Sequence, residues 1–165
     1  MKTIPLYKGR RLPPSLSGYF ALVDDDSYDY LISFSPWFLT VAKPGYYYVA
    51  KRFGREVIRM QDLVIGHDKG EIVDHVDHNG LNNQKSNLRL ATNTQNAMNC
   101  RIRSDNTTGY KGVCFHPSTG RYRARIKVNG AYVSLGLFDK LEDAGQAYSD
   151  AAKLYFGSFA FADKR

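Results

Sequence analysis

Between Arg121 and Val128 the chain alternates without a break. Arg121, Arg123, Arg125 and Lys127 stand at one parity, and Tyr122, Ala124, Ile126 and Val128 at the other. Successive side chains of a strand point to opposite faces, so this octet reads as a strand with one basic and one apolar side. Asn129-Gly130 follows at once. That pair suits the positive φ angles of a two-residue hairpin, which makes Ala131 to Phe138 the return strand. An earlier strand, about Gly112 to His116, joins through Pro117-Ser118-Thr119-Gly120. Leu141, Ala144, Tyr148, Ala151, Ala152 and Tyr155 then recur at helical spacing across 140–156. Residues 106–162 are therefore expected to form three antiparallel strands with one amphipathic helix over the apolar side.

Charge gives that sheet a partner. The chain of 165 residues carries a net +7, and the basic surplus peaks between Arg101 and Lys127, where seven basic residues meet one acidic residue, Asp105. A clustered excess of this kind marks a polyanion, most often nucleic acid. Two cysteines, Cys100 and Cys114, with no Cys-x-x-Cys, exclude a cysteine-rich zinc module and a disulfide framework. The setting expected is a reducing, cytoplasmic one. Neither a membrane-length apolar run nor a signal-peptide core is present in the sequence.

Residues 1–65 are rich in aromatic and β-forming residues. Tyr19 to Val23, Trp37 to Val41 and Tyr46 to Ala50 read as short antiparallel strands, divided by Asp24-Asp25-Asp26 and by Lys43-Pro44-Gly45. The acidic triplet is expected to be a solvated turn, with metal binding as the weaker alternative. Arg55 to Ile65 reads as a further strand running into a short helix.

The segment 66–105 differs in kind. Asn79, Asn82, Asn83, Asn87, Asn93, Asn96 and Asn99 crowd it, and apolar residues thin out between Val76 and Leu88. This is the composition of a functional loop rather than of packing. Thr92-Asn93-Thr94-Gln95 has the capping-box pattern, so a short helix should start near Asn93.

Hydrolysis of a phosphodiester requires an activated water, a base to activate it and a cation to offset charge on the phosphate. An unperturbed imidazole such as His75 has a pKa near 6.5 and can accept a proton at cellular pH. Asp74 offers a hard oxygen suited to Mg²⁺ or Mn²⁺. Neighbours on a regular strand diverge, so a bend or a strand end is needed for Asp74 and His75 to serve one centre. Asn96, in the first turn of the expected helix, could add a carboxamide oxygen.

The run from Val73 to Thr92, continuing to Asn96, resembles the HNH homing endonuclease motif, in the phage and intron-encoded branch that ends in Asn. The resemblance covers about residues 55–100. It implies a ββα-metal fold, with Asp74 and Asn96 holding Mg²⁺ or Mn²⁺, His75 as general base and Asn87 bracing the loop. It further implies cleavage leaving 5′-phosphate ends. Members often carry a Met-His-Arg-Leu pattern upstream, where this chain reads Met60-Gln61-Asp62-Leu63. His78 is read as a solvated loop residue, with a second phosphate or metal contact as the alternative, and His67 and His116 as incidental.

Gly109 to Val113, Arg121 to Ile126, Leu135 to Asp139, Ala144, Ala147-Tyr148, Ala151-Ala152 and Phe156-Gly157 resemble the AP2 domain. The resemblance covers about residues 106–162 and implies a sheet that lies in the major groove of duplex DNA. Cys114 and Tyr122 stand where plant members tend to have Arg and Trp, so base preference does not carry over. Arg121, Tyr122, Arg123, Arg125, Lys127, Lys111, Arg89, Arg101 and Arg103 are the DNA-binding candidates.

The expectation is thus an α+β chain with an HNH nuclease core and N-terminal antiparallel strands in residues 1–105, and an AP2-like unit in 106–165. It cuts duplex DNA as a monomer, with no membrane and no small-molecule cofactor, in a bacterial or phage-infected host cell. The alternative is a catalytically impaired DNA-binding regulator, for which Gln61 is the mark. An RNA-binding reading, with the N-terminal tyrosines stacking on bases, is weaker because those tyrosines suit a strand core.

Overall fold

The structure, a computed structural model, describes residues 1–8, 18–43, 45–67 and 71–161. The chain divides into two compact units, Met1–Asn93 and Thr94–Arg165. The fold is mixed α+β, as the sequence patterns require.

In the first unit, β1 (Lys2–Lys8), β2 (Phe20–Val23), β3 (Trp37–Lys43), β4 (Tyr46–Phe53) and β5 (Glu56–Arg59) form one sheet in the order β2-β1-β3-β4-β5. Helix α1 (Asp25–Ser33) follows β2, and α2 (Met60–Ile65) follows β5. A separate two-stranded ladder pairs β6 (Ile72–His75) with β7 (Leu88–Ala91). Ile4, Ala21, Val23, Leu31, Trp37, Val49 and Met60 build the buried core. Trp37 donates its indole N–H to the Leu31 carbonyl at 2.8 Å, so the largest core side chain has its polar atom satisfied.

Two expectations for this unit need correction. The strands are not all antiparallel: β1 runs antiparallel to β2 through Lys2–Pro5 but parallel to β3 through Leu6–Lys8. Pro5 has no N–H to give, and it lies where the pairing changes hands. The acidic triplet, moreover, is not a solvated turn. Asp24 is the N-cap position of α1, and Asp25 and Asp26 fill its first turn, where carboxylates favour the helix dipole. Tyr28, Leu31 and Ile32 face the core at helical spacing. Pro44, in the turn expected at 43–45, lies outside the described residues.

After β7 comes α3 (Asn93–Met98), beginning at the residue that the capping-box pattern indicates. In the second unit β8 (Val113–His116), β9 (Arg121–Val128) and β10 (Ala131–Phe138) form an antiparallel sheet in the order β10-β9-β8. Asn129 and Gly130 both take positive φ, 49° and 84°, the demand of the mirror-image hairpin turn. Helix α4 (Leu141–Phe156) lays Ala144, Tyr148, Ala151 and Ala152 on Val113, Ala124 and Ile126. Among the described residues, no helix is long and apolar enough to cross a membrane.

Candidate functional site

The β6–β7 ladder sets His75 opposite Leu88 and Asp74 opposite Arg89. His75 is the last residue of β6, the strand end at which neighbouring side chains need no longer diverge. Asp74 is buried, and the guanidinium of Arg89 grips its Oδ2, with Nε at 2.9 Å and Nη2 at 2.8 Å. A buried carboxylate left alone is costly, and here a cation meets it across the ladder.

Between the strands, residues 76–87 are held by side chains rather than by a ladder. Asn87 is the hub. Its Oδ1 accepts from the Asp77 amide at 3.0 Å, and its Nδ2 donates to Asp77 Oδ1 at 2.9 Å and to the Asn82 carbonyl at 2.8 Å. Asp77 accepts again from the Asn79 amide at 2.8 Å and from Asn82 Nδ2 at 2.8 Å. Asn79 and Asn82 then accept from the amides two residues on. Short carboxamides stand in for backbone partners, which is the physical meaning of an asparagine-rich segment. His78, expected as a solvated loop residue, is half-buried with φ of 61°.

The loop is also fastened to the N-terminal sheet. Leu22 donates to the Leu81 carbonyl and its own carbonyl accepts from the Asn83 amide, each at 2.8 Å. Asp24 accepts from Gln84 Nε2 at 3.4 Å and from the Lys85 amide at 2.7 Å, while Lys85 Nζ meets Asp26 at 2.7 Å. Gly80 passes so near β4 that a Cβ on it would stand 2.1 Å from the Tyr47 carbonyl oxygen. Only glycine permits that approach.

Electrostatics separates the two titrating groups of the loop. Burial holds the His75 pKa below its ordinary value, against opposing pulls from the Asn83 hydrogen bond and the charges of Asp77, Asp74 and Asp62. For Asp77, burial pushes the carboxyl up. The hydrogen bonds from Asn82, Asn79 and Asn87, with the His75 charge, together outweigh it and hold the group below the carboxylate range. The loop thus shifts both groups downward, the imidazole of His75 by burial and the carboxyl of Asp77 by its hydrogen bonds.

The hairpin therefore brings Asp74, His75, Asn87 and Arg89 together. Asn96 lies in α3, in the second unit, half-buried, with its backbone carbonyl accepting from Cys100. Among the described residues, no three of the His, Cys, Asp and Glu side chains group to hold a metal ion. Gln61 is buried on α2, and its side-chain oxygen has no hydrogen-bond partner among the described residues. The sequence patterns do not mark Asp77 and Asn83 as site residues, and they assign Asp24 to a turn. Asp77 and Asn83 sit inside the quoted motif, but nothing local marks Asp24 as a partner of residues sixty positions away.

On the second unit the basic face of β9 is less uniform than alternation implies. Arg125 and Lys127 are exposed and converge on Tyr132, with Arg125 4.4 Å and Lys127 5.8 Å from the ring centroid. Arg121 is exposed but paired with Asp139 at 2.8 Å. Arg123 is half-buried, because Cys114 on β8 stands opposite it and takes a hydrogen bond from Nη2 at 3.6 Å. Tyr122 packs edge-on against Phe115.

Other basic candidates are engaged elsewhere. Lys111 donates to the carbonyls of Met98 and Cys100 at 2.7 and 2.8 Å, and burial lowers its pKa. Arg103 makes a two-pronged contact with Asp105, and Arg89 is the buried partner of Asp74. Arg101 is exposed.

Comparison with known proteins finds relatives of both parts of the chain. A family model described as HNH endonuclease matches residues 66–98, and one described as AP2 domain matches residues 108–158. The chain is similar to a protein of Acanthamoeba polyphaga mimivirus named as an uncharacterized HNH endonuclease. The two are 36% identical over 151 residues, covering 89% of this chain and 76% of that protein. It is also similar to Protein 3.8 of Escherichia phage T7, at 33% identity over 92 residues, covering 56% of this chain and 75% of that protein. No solved structure matches the chain.

Proposed function

The chain belongs to the HNH endonuclease family, and from that premise we propose that it is a metal-dependent endonuclease that hydrolyses phosphodiester bonds in duplex DNA. The observation that carries the reading is His75, held neutral by burial at the end of β6 beside the buried carboxylate of Asp74. A neutral imidazole can take a proton from water, and His75 is the general base in this account. Asn87 fixes the loop that carries it.

We read the metal ligands as Asp74 and Asn96 on the chemistry of their oxygens alone: a carboxylate and a carboxamide suit Mg²⁺ or Mn²⁺ rather than zinc. One carboxylate does not make a closed cage. That is the usual state of a Mg²⁺ centre, which is completed by water and by substrate phosphate. When bound, the ion would offset charge on the phosphate and the leaving oxygen. Arg89 already shares Oδ2 of Asp74, so it limits how that carboxylate can meet the cation.

Residues 1–105 form the nuclease and residues 106–165 the DNA-gripping unit. Of the candidate DNA-binding residues, Arg125, Lys127 and Arg121 have the exposure to reach DNA, with Arg101 and Arg103 nearby in sequence. Arg123 and Tyr122 support the sheet and contribute less, and Lys111 and Arg89 act inside the protein. The protein works in the cytoplasm of a bacterial or phage-infected cell.

A non-cutting DNA-binding regulator is the second reading, favoured by Gln61 and by the Arg89 grip on Asp74. Incubation with supercoiled plasmid and Mg²⁺ or Mn²⁺ separates the two. Nicked or linear product that disappears in excess chelator supports the nuclease, and bound but intact plasmid supports the regulator.

A further inference from the structure

Residues 1–65 lie outside both matched family stretches, 66–98 and 108–158, yet they bear on the proposed centre through one side chain that they hold in place. We propose that Asn83 is a positioning residue for His75, seated by the N-terminal sheet, which keeps the imidazole proton on Nε2 and leaves Nδ1 as the basic nitrogen. The inference rests on the reading of His75 as general base.

Asn83 is wholly buried, and its Oδ1 lies 3.4 Å from His75 Nε2. A carboxamide oxygen can only accept, so with Oδ1 facing the ring this contact favours the tautomer that carries hydrogen on Nε2. A neutral imidazole has one N–H, and the lone pair is then on Nδ1. The amide nitrogen of the Asn83 side chain is buried with no hydrogen-bond partner among the described residues. An unpaired buried donor is costly, and such a cost is commonly accepted where the remaining polar atom has a task.

The seat of Asn83 is rigid. Its backbone amide donates to the Leu22 carbonyl, and the Leu22 amide donates to the Leu81 carbonyl, both at 2.8 Å. Leu22 stands between Ala21 and Val23, two wholly buried core residues. Asp24 then anchors the next two residues, Gln84 and Lys85. A side chain clamped on both flanks can set the orientation of a partner that its own strand has ceased to constrain.

The test is the ring-nitrogen spectrum of ¹⁵N-histidine-labelled full-length protein without DNA, recorded near pH 8, above the ordinary histidine pKa of about 6.5. The His75 signal is assigned by its loss in His75→Gln. The wild type should show a single tautomer with hydrogen on Nε2. Asn83→Leu should lose that preference and lower kcat for DNA cleavage about ten- to hundredfold, part of the roughly 10²–10⁴ a positioned base contributes, with KM little changed. Asn83→Asp keeps an acceptor and should retain the tautomer and much of the rate. If circular dichroism shows Asn83→Leu to be unfolded, Asp24→Ala decides instead, and it should produce a mixed tautomer. Hydrogen on Nδ1 in the wild type, or an unchanged tautomer in the folded variant that decides, overturns the proposal. Wild-type protein that shows the Nε2–H form but never cuts DNA would contradict the nuclease reading and leave the Asn83–His75 contact standing.

Discussion

Arg89 stands directly across the β6–β7 ladder from Asp74 and contacts a single oxygen of its carboxylate through both Nε and Nη2. The two groups are 16% and 6% exposed, so the pair is largely shielded from water and each charge compensates the other. The proposed metal ligand is thus also half of a structural ion pair.

Removing one partner should therefore cost more than removing both. Arg89→Met takes the paired cation from the buried Asp74 carboxylate and should lower stability by about 3–5 kcal/mol. Adding Asp74→Asn to Arg89→Met should recover a large part of that loss. Urea unfolding of the two single variants and the double variant measures the coupling, and additive losses would show that the pair is not coupled.

The pH profile follows from the burial of His75. Burial penalises the imidazolium, so the proton leaves at a lower pH than from a free imidazole, and the base form survives further into acid. Cleavage should fall as pH drops through that lowered pKa, which places the acid limb of kcat/KM below about 6.5. A limb above that value would mean that a different group, or an exposed histidine, supplies the base.

DNA binding should divide the basic residues by exposure. Arg125→Ala with Lys127→Ala should weaken binding and flatten its salt dependence, by about 0.9 in the log–log slope for each phosphate that the protein no longer neutralises. Lys111→Ala should lower the melting temperature with little change in that slope, because its ammonium holds the Met98 and Cys100 carbonyls. Fluorescence anisotropy across a salt series, with thermal unfolding alongside, checks both.

Legibility from sequence varied with the range of the interactions involved. The hairpin of β9 and β10, the start of α3 and the Asp74-His75 strand end were legible, because alternation, turn chemistry and capping act within a few residues. Helix α1 was legible in principle, since Tyr28, Leu31 and Ile32 keep helical spacing behind an acidic first turn. The neighbouring aspartates read more readily as a turn. Strand β1 and its parallel pairing with β3 were not legible: Pro5 argues against a strand, and parallel pairing depends on distant residues. Exposure on β9 escaped for a similar reason, because whether Arg123 is covered is decided by Cys114 on another strand. The contact of Asn83 with His75 depends on Leu22 and Asp24, some sixty positions earlier.

The most direct test of the account is His75→Ala assayed in parallel for DNA cleavage with Mg²⁺ and for DNA affinity. The cleavage rate should fall by roughly 10²–10⁴, the contribution of a positioned general base, while affinity stays near that of the wild type. An unchanged cleavage rate in this variant would contradict the assignment of His75 as the base and with it the placing of the cutting centre at the end of β6.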